Sequence, residues 1–341
     1  MKITALTGLT LISLLLCSYK VAEDKGRAFE SEDPPFLEHS TKWADSILQT
    51  LSDKQKIAQL FMVAAYSNRD EQHVQDLIKL IEKQEIGGVI FFQGGPERHV
   101  NMLNRLQAAS NVPLLVGMDA EWGLSMRLDS TVKYPWQMTL GAIQDDYLIY
   151  EMGKDIGEQL NRIGVHINFA PVVDVNVNPN NPVIKARSFG ENRYNVANKG
   201  VAYMKGLQFK YVLANAKHFP GHGDTDKDSH KTLPTINHPK NRLDSVELFP
   251  FKKLIDNGAA SLMMAHLNVP AYTGNQKKAS SLSHTLVSDL LKDTLGFKGL
   301  IVTDALNMKG VAAQYEPGKV DLEALLAGND VLLFAEDVPK A

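Results

Sequence analysis

The chain has 341 residues, of which 44% are hydrophobic and 22% are charged, so its composition and length fit a globular protein with a large core. Its net charge of −3 gives no basis for binding to nucleic acid or to an acidic membrane surface. The only cysteine is Cys17, which excludes a disulfide framework and leaves the remainder of the chain without a thiol for catalysis.

The first 20 residues have the pattern of a signal peptide. A positively charged start precedes an apolar run over 6–16, which is shorter than the roughly 20 residues that a spanning helix needs. Cys17 follows this run, and the sequence leaves both lipidation of Cys17 and simple secretion open. Residues 21–41 are charged, contain a Pro-Pro pair, and are predicted to form a tether. We therefore expect an exported protein of the periplasm or cell envelope.

From residue 42 to residue 341, short apolar runs alternate with amphipathic segments in a single predicted domain. The apolar runs predict eight strands, at 58–66, 86–92, 112–119, 166–174, 211–216, 261–266, 300–304 and 330–334. The amphipathic segments predict helices at 74–81, 97–109, 146–163, 194–209, 243–257, 283–295 and 320–327, with Ser283 as the cap of the sixth.

Strands that alternate with helices in this way favour an α/β fold, specifically a (β/α)8 TIM-type barrel. A doubly wound open sheet is the alternative, but no glycine fingerprint of the dinucleotide-binding kind follows any predicted strand. Few residues follow the eighth strand, so we expect a barrel cut short at its last helix. A longer parent chain with a further C-terminal domain would account for this ending.

Polar side chains follow five of the predicted strands. The carboxyl ends of barrel strands meet on one face, where the active sites of such barrels lie. One aspartate at a strand end is readily explained as a cap, but titratable groups after five strands are not. These groups are Asp119, Asp174, Lys217 with His218, His266 and Asp304.

The stretch 217–230 leaves the fifth strand and holds three histidines, three aspartates and two glycines. Imidazoles and carboxylates this close together suit proton transfer near neutral pH. A solvated polar loop and a metal site are the alternatives, although the spacing matches no zinc pattern and we expect no metal. Two carboxylate-bearing segments fit glycoside hydrolysis, with Asp304 as candidate nucleophile. Residue chemistry alone leaves Asp228 and His230 both open as proton donor.

Several other side chains permit two interpretations. Arg127 and Arg187 could bind sugar hydroxyls or belong to ordinary ion pairs. Trp122 could stack on a sugar ring, although packing in the core is the commoner role of a single tryptophan. His222 and His266 are ambiguous between a functional and a structural role.

These motifs resemble glycoside hydrolase family 3, in particular its bacterial β-N-acetylhexosaminidase branch, over about 45–338. The most specific piece is Lys217-His-Phe-Pro-Gly-His-Gly223, followed by Asp228-Ser-His230. The supporting pieces, in the same order as in the family, are Asn168-Phe-Ala-Pro-Val-Val-Asp-Val175, Arg187-Ser-Phe-Gly190, Met264-Ala-His266 and Val302-Thr-Asp304.

The resemblance implies roles that the residue chemistry leaves open. Asp304 matches the family's nucleophile, which forms a covalent glycosyl-enzyme intermediate, and His230 matches an acid/base that works in a dyad with Asp228. The implied reaction is retaining hydrolysis of terminal β-linked N-acetylglucosamine from cell-wall or chitin-type oligosaccharides, including muropeptides, without metal or organic cofactor. The positions implied to hold the sugar are Asp119, Arg127, Arg187, Lys217 and His218.

One departure from the family pattern concerns the sugar pocket. The family's Asp-x-Glu-Gly-Gly reads Asp119-Ala-Glu-Trp-Gly123 here, so Trp122 replaces a glycine beside Glu121. A β-glucosidase of the same family and a non-catalytic module that binds wall sugars remain the alternative functions.

Overall fold

The computed structural model describes residues 32–341, apart from 275, 314, 317 and 336. The predicted signal peptide, Cys17 and the first part of the predicted tether lie outside the described residues. From Glu32 onward the chain contacts the rest of the domain. The backbone N–H of Glu32 donates to the carbonyl of Asp256 at 3.1 Å. Asp33 forms an ion pair with Lys298 at 2.8 Å.

Eight parallel strands pair in the order β7-β6-β5-β4-β3-β2-β1-β8. A bridge between Val302 and Val331 brings the ends of this order together, and the sheet forms a nearly closed barrel. The predicted (β/α)8 TIM-type architecture is therefore confirmed. The strands are β1 Phe61–Tyr66, β2 Gly88–Phe92, β3 Leu115–Met118, β4 Ile167–Asn168, β5 Leu213–Phe219, β6 Ser261–Met264, β7 Leu300–Thr303 and β8 Leu332–Leu333.

Helices fill the connections between the strands. The α-helices of the described residues are α1 Lys42–Thr50, α2 Asp53–Ala58, α3 Glu71–Gln84, α4 Pro96–Ala108, α5 Gln137–Leu140, α6 Asp146–Arg162, α7 Arg193–Phe209, α8 Lys240–Ser245, α9 Leu248–Asp256, α10 Pro270–Thr273, α11 Lys309–Ala312 and α12 Lys319–Ala327. A π-helix covers Thr285–Thr294. Within the described part of the chain, no helix has both the length and the apolar character needed to cross a membrane.

The fourth strand is much shorter than the predicted 166–174, because continuous pairing covers only Ile167–Asn168 and an isolated bridge joins Val172 to Lys217 of β5. Pro171 has no backbone N–H to donate to a neighbouring strand. The backbone of Val172 instead pairs with the side chain of Gln137, which accepts at 3.2 Å and donates at 2.8 Å. Residues 167–174 remain buried, and the segment still brings Asp174 beside the carboxyl end of β5.

Two predicted helices also differ from the structure. The segment 243–257 is divided into α8 and α9, and Pro250 is the third residue of α9. In an unbroken helix Pro250 would lack a hydrogen bond and clash with the preceding turn, whereas the first turn tolerates it. The predicted Ser283 cap is wrong, since the π-helix starts after His284 without a side-chain cap.

The barrel interior is filled by side chains and is not a pore. Eight buried residues from the strands and their ends form this inner core: Met62, Ile90, Ile167, Phe169, Met263, Val302, Val331 and Leu333. Gly117 on β3 makes room for them, because a Cβ there would lie 2.7 Å from the ring of Phe169. A larger apolar cluster packs the helices onto the outside of the strands. The filled interior leaves the carboxyl ends of the strands as the place for a cavity.

Candidate active site

A cavity of about 540 Å³ opens at the carboxyl ends of the strands. Its volume lies within the range of roughly 300–1,000 Å³ that is usual for small-molecule sites. Of the eight residues that the sequence predicts for catalysis or sugar binding, all but Asp228 line it. The seven are Asp119, Arg127, Arg187, Lys217, His218, His230 and Asp304.

A network of five charged side chains, which we call the charged floor, covers one part of the cavity. Lys217 donates to Asp119 at 2.7 Å and lies 2.8 Å from Glu121. Arg127 pairs with the other oxygen of Asp119 at 2.5 Å. Arg187 binds Glu121 through two parallel hydrogen bonds of 2.7 and 3.0 Å. Each carboxylate therefore faces two cations, which fixes the side chains in place.

The charges of the floor keep both of its carboxylates ionised. Burial raises the pKa of Asp119, but Lys217 and Arg127 outweigh it and hold that pKa well below its usual range. Burial likewise opposes ionisation of Glu121, but Arg187 and Lys217 lower its pKa from 4.5 to about 2. No role for Glu121 could be predicted from the sequence, because its partners are distant in the chain.

We expect Glu121→Gln to lower the free energy of unfolding at pH 7 by about 3 kcal/mol, since it leaves a buried cation without its partner. The wild-type advantage should be complete above pH 4.5 and disappear as pH falls through about 2, because the folded carboxylate keeps its charge after the unfolded one is protonated. Urea unfolding of both proteins between pH 7 and pH 3 measures this difference.

The matched control for that measurement is Glu97→Gln, because Glu97 is an exposed glutamate on α4. Equal unfolding free energies for the two variants at pH 7 would contradict a stabilising role of Glu121.

Asp174 organises the turn that follows β5. Its carboxylate lies 2.7 Å from Nδ1 of His218 and accepts from the backbone N–H of His222 at 2.6 Å. Nδ1 of His218 therefore carries the proton, and Nε2 can accept from Arg187 at 3.3 Å. Burial raises the pKa of Asp174, but His218 more than compensates and the pKa is lowered. The predicted position of Asp174 at a strand end carried no information about this pairing.

Asp228 and His230 form a pair in the loop after β5. Oδ1 of Asp228 lies 2.9 Å from Nδ1 of His230 and also accepts from the backbone N–H of His230 at 2.9 Å. The His230 side chain is 63% exposed and lines the cavity, while Asp228 lies behind it. Burial opposes the charge of Asp228, but its hydrogen bonds from His230 lower its pKa. This geometry leaves Nε2 of His230 free for another partner.

His222 ties the loop of this pair to the barrel. Its Nδ1 lies 2.7 Å from the hydroxyl of Thr225, and its Nε2 lies 3.0 Å from the hydroxyl of Ser229, between Asp228 and His230 in the chain. Burial lowers the pKa of His222 to about 4, so the ring is neutral at pH 7. His222 therefore has a structural contact on each ring nitrogen, and its ring also lines the cavity.

Asp304 follows β7 directly and reaches the same cavity. Its Oδ1 accepts from the backbone N–H of Ala305 at 2.8 Å. The ring of His266 packs behind this turn, with Nε2 3.0 Å from the Ala305 carbonyl and Nδ1 2.7 Å from the Ser281 hydroxyl. Since a carbonyl can only accept, Nε2 of His266 is the protonated nitrogen. His266 therefore holds the strand end that presents Asp304.

The comparison with known families gives the same assignment as the motifs. The glycosyl hydrolase family 3 N-terminal domain matches residues 52–341 of the chain. The chain belongs to glycoside hydrolase family 3.

Three relatives illustrate the range of this family 3 domain. β-Hexosaminidase A of Pseudoalteromonas piscicida is 35% identical over 282 residues, covering 76% of this chain and 47% of the relative. A family 3 β-N-acetylglucosaminidase of Paenibacillus sp. superposes with a TM-score of 0.78 at 37% identity, covering 85% of this chain and 56% of that one. The β-glucoside phosphorylase BglX superposes with a TM-score of 0.84 at 25% identity, covering 90% and 56%.

The chain spans about half the length of the curated relatives it matches, 47% and 53% for the first two. The family 3 assignment therefore concerns the barrel domain, and activity and substrate are argued below from the site.

One group of side chains near the family 3 cavity has ligands for a metal ion. Among the described residues, Asp224, His238 and Glu247 bring one ligand atom each to within 4.8 Å of one another. Arg242 already pairs with Glu247 and lies 3.8 Å from Asp224, while His238 bonds Asp224 at 2.6 Å. Since a guanidinium supplies the positive charge, we interpret the group as an ion-pair cluster that fixes the base of the loop after β5.

Proposed function

We propose that this chain hydrolyses terminal β-linked N-acetylglucosamine with retention of configuration, through a covalent intermediate on Asp304. The observation that carries the proposal is the shared cavity, which Asp304 and His230 line together with Asp228 bonded behind His230. The names of the P. piscicida and Paenibacillus relatives support the choice of sugar.

In the first step, a carboxylate oxygen of Asp304 attacks C1 of the terminal sugar while the bond from C1 to the leaving oxygen breaks. The protonated imidazole of His230 gives its Nε2 proton to that oxygen. Asp228 keeps Nδ1–H of His230 oriented through the 2.9 Å hydrogen bond and stabilises the imidazolium. The products of this step are a glycosyl ester on Asp304 and a free alcohol.

In the second step, His230 accepts a proton from a water molecule, whose oxygen attacks C1 from the face that the leaving group vacated. The bond from C1 to Asp304 breaks, and two inversions give net retention. Burial opposes the charge of Asp304, but His266 and His218 lower its pKa below the ordinary value. The nucleophile is therefore ionised throughout the neutral range.

The charged floor holds the sugar hydroxyls in this proposal. Lys217 and the two arginines donate, and Asp119 and Glu121 accept. A site built from many fixed donors and acceptors discriminates by leaving groups unpaired when the wrong sugar binds. We extend the proposal to cell-wall or chitin-type oligosaccharides, including muropeptides, as substrates of an exported protein. The leader sequence supports export and leaves open whether Cys17 carries a lipid.

We expect kcat/KM for an aryl β-N-acetylglucosaminide to exceed that for the β-glucoside at least about 100-fold, because a site that hydrogen-bonds the 2-acetamido group is left with unpaired polar groups when the glucoside binds. Assays of the purified chain on a panel of aryl glycosides measure this ratio. Proton NMR of the early product should show the β-anomer first; the α-anomer first would rule out retention.

The β-glucoside phosphorylase among the structural relatives makes a second candidate testable in the same panel. Each substrate is assayed with and without inorganic phosphate. A higher kcat/KM on the glucoside, or a sugar 1-phosphate as the main product, would replace the proposed function with that of a glucosidase or a phosphorylase.

A further inference from the structure

Two of the three tryptophans of the chain lie together on one wall of the cavity. The ring centroids of Trp122 and Trp136 are 4.1 Å apart and their planes are inclined by 41°. Trp136 is 39% exposed although it lines a cavity. The third tryptophan, Trp43, lies on α1 and is not among the lining residues. What distinguishes Trp136 from the more exposed Trp43 is its place on the cavity wall against a second indole ring, where a ligand can contact both rings.

The backbone holds this pair in a fixed position beside the charged floor. Trp122 follows Glu121 directly, and its carbonyl accepts from the backbone N–H of Tyr134 at 3.2 Å. Trp136 immediately precedes α5, whose first residue, Gln137, is anchored to Val172 by the two hydrogen bonds described above. Hydrogen bonds therefore anchor the chain at Trp122 and next to Trp136, which limits the movement of both rings.

Glycine is required at the turn between the two tryptophans. Gly123 has a φ of +83° and lies against the ring of Tyr134, where a Cβ would come within 2.7 Å. Only glycine adopts this conformation without strain at so close an approach. This turn follows Trp122 directly and leads into the segment that ends at Trp136. It therefore helps to fix the tryptophan pair relative to the charged floor.

A pyranose presents hydroxyls at its edge and C–H groups on its faces. The charged floor matches the hydroxyl edge, and an indole face matches the C–H face by burying apolar area against a negatively polarised ring. The cavity offers both kinds of surface, but at different depths. The floor is buried, with Lys217 and Glu121 nearly inaccessible, whereas Trp136 reaches solvent at the mouth.

We propose that Trp122 and Trp136 form a platform for the second sugar ring of a β-linked oligosaccharide, on the leaving-group side of the bond that is cleaved. This inference rests on the proposed function, in which the terminal sugar occupies the floor next to Asp304. The leaving portion then extends outward past the exposed tryptophan. The platform makes the chain selective for oligosaccharides over single glycosides.

The test compares a disaccharide of β-1,4-linked N-acetylglucosamine with the methyl β-glycoside, whose leaving group is too small to reach the platform. We expect Trp136→Ala to lower the disaccharide-to-methyl-glycoside ratio of kcat/KM about tenfold, the scale of one aromatic contact with its buried area. Trp136→Phe should recover most of the ratio. Trp43→Phe is the matched control and should leave the ratio unchanged. An unchanged ratio in Trp136→Ala would overturn the platform.

A binding measurement separates the platform from the catalytic proposal. In the Trp43→Phe protein, excitation at a wavelength that tyrosine does not absorb leaves Trp122 and Trp136 as the emitting residues. Titration of this protein, carrying Asp304→Asn to prevent turnover, should shift the emission with the disaccharide much more than with N-acetylglucosamine. Equal shifts would place the first sugar at the tryptophans and overturn the inference. A shift without hydrolysis by the wild type would instead contradict the proposed function alone.

Discussion

Replacement of Asp304 by asparagine should lower kcat on β-N-acetylglucosaminides at least about 10⁴-fold, the scale seen when a catalytic nucleophile is removed. The amide has the shape of the carboxylate and can still accept from the N–H of Ala305, so the turn after β7 should persist. It lacks the negative oxygen that attacks C1. Asp304→Ala should have at least the same effect. Steady-state assays with the chromogenic N-acetylglucosaminide measure both variants.

Mass spectrometry gives this prediction a direct readout. Acid-quenched wild-type protein should carry one N-acetylglucosaminyl residue on the peptide that contains Asp304, and the Asn variant should carry none. Asp289→Asn, in an exposed ion pair with His284, is the matched control and should retain full activity. Full activity of Asp304→Asn would rule out Asp304 as nucleophile.

Replacement of His230 by alanine should have an effect that depends on the leaving group. A sugar alcohol needs a proton as it departs, so kcat/KM on the disaccharide should fall about 10²–10⁴-fold. A nitrophenolate departs without one, so kcat/KM on the nitrophenyl glycoside should fall far less. Hydrolysis of the ester then becomes limiting, because no base activates water. The ratio of the two kcat/KM values measures the role of His230.

A small anionic nucleophile tests whether His230 also acts as the base that activates water in the second step. Azide needs no base, so it should restore turnover of the nitrophenyl glycoside by His230→Ala and release the β-glycosyl azide. His284→Ala is the matched control, because its side chain is 66% exposed and lies 3.1 Å from an aspartate, as in the proposed dyad. Equal losses on both substrates would count against His230 as acid/base. Asp228→Asn should give the same pattern with smaller losses.

The arrangement of strand ends could be predicted because it follows from one simple pattern. Each strand is an apolar run, and parallel strands of a barrel end on one face. Asp119, Lys217 and Asp304 each follow such a run, so their common location could be inferred without knowledge of any contact. The same pattern sufficed for the barrel itself.

The partners of these residues could not be predicted, because they depend on packing between distant segments. Glu121 binds Arg187 across 66 positions of the chain, and Asp174 binds His218 across 44. Glu121 lies in a loop, where no periodicity marks a buried side chain. His218 lies near the carboxyl end of β5, and Asp174 follows the neighbouring strand β4, so their proximity could have been inferred, but not the hydrogen bond.

Local chemistry of two prolines accounts for the main errors in the elements. The run 166–174 has the apolar character of a strand throughout, yet Pro171 removes the donor that its second half would need. The run 243–257 has helical periodicity, yet Pro250 requires a new first turn. In both cases the hydrophobic pattern was correct about burial and wrong about hydrogen bonding.

The charged floor together with Asp304 contains equal numbers of positive and negative groups. They are Arg127, Arg187 and Lys217, and Asp119, Glu121 and Asp304. Charges that balance over a few ångströms cancel beyond the screening length of roughly 8–10 Å in physiological saline. The net electrostatic field of these six groups is therefore weak outside the cavity. An uncharged carbohydrate that binds there displaces few counterions. Capture of an uncharged oligosaccharide by such a cavity should therefore depend little on ionic strength.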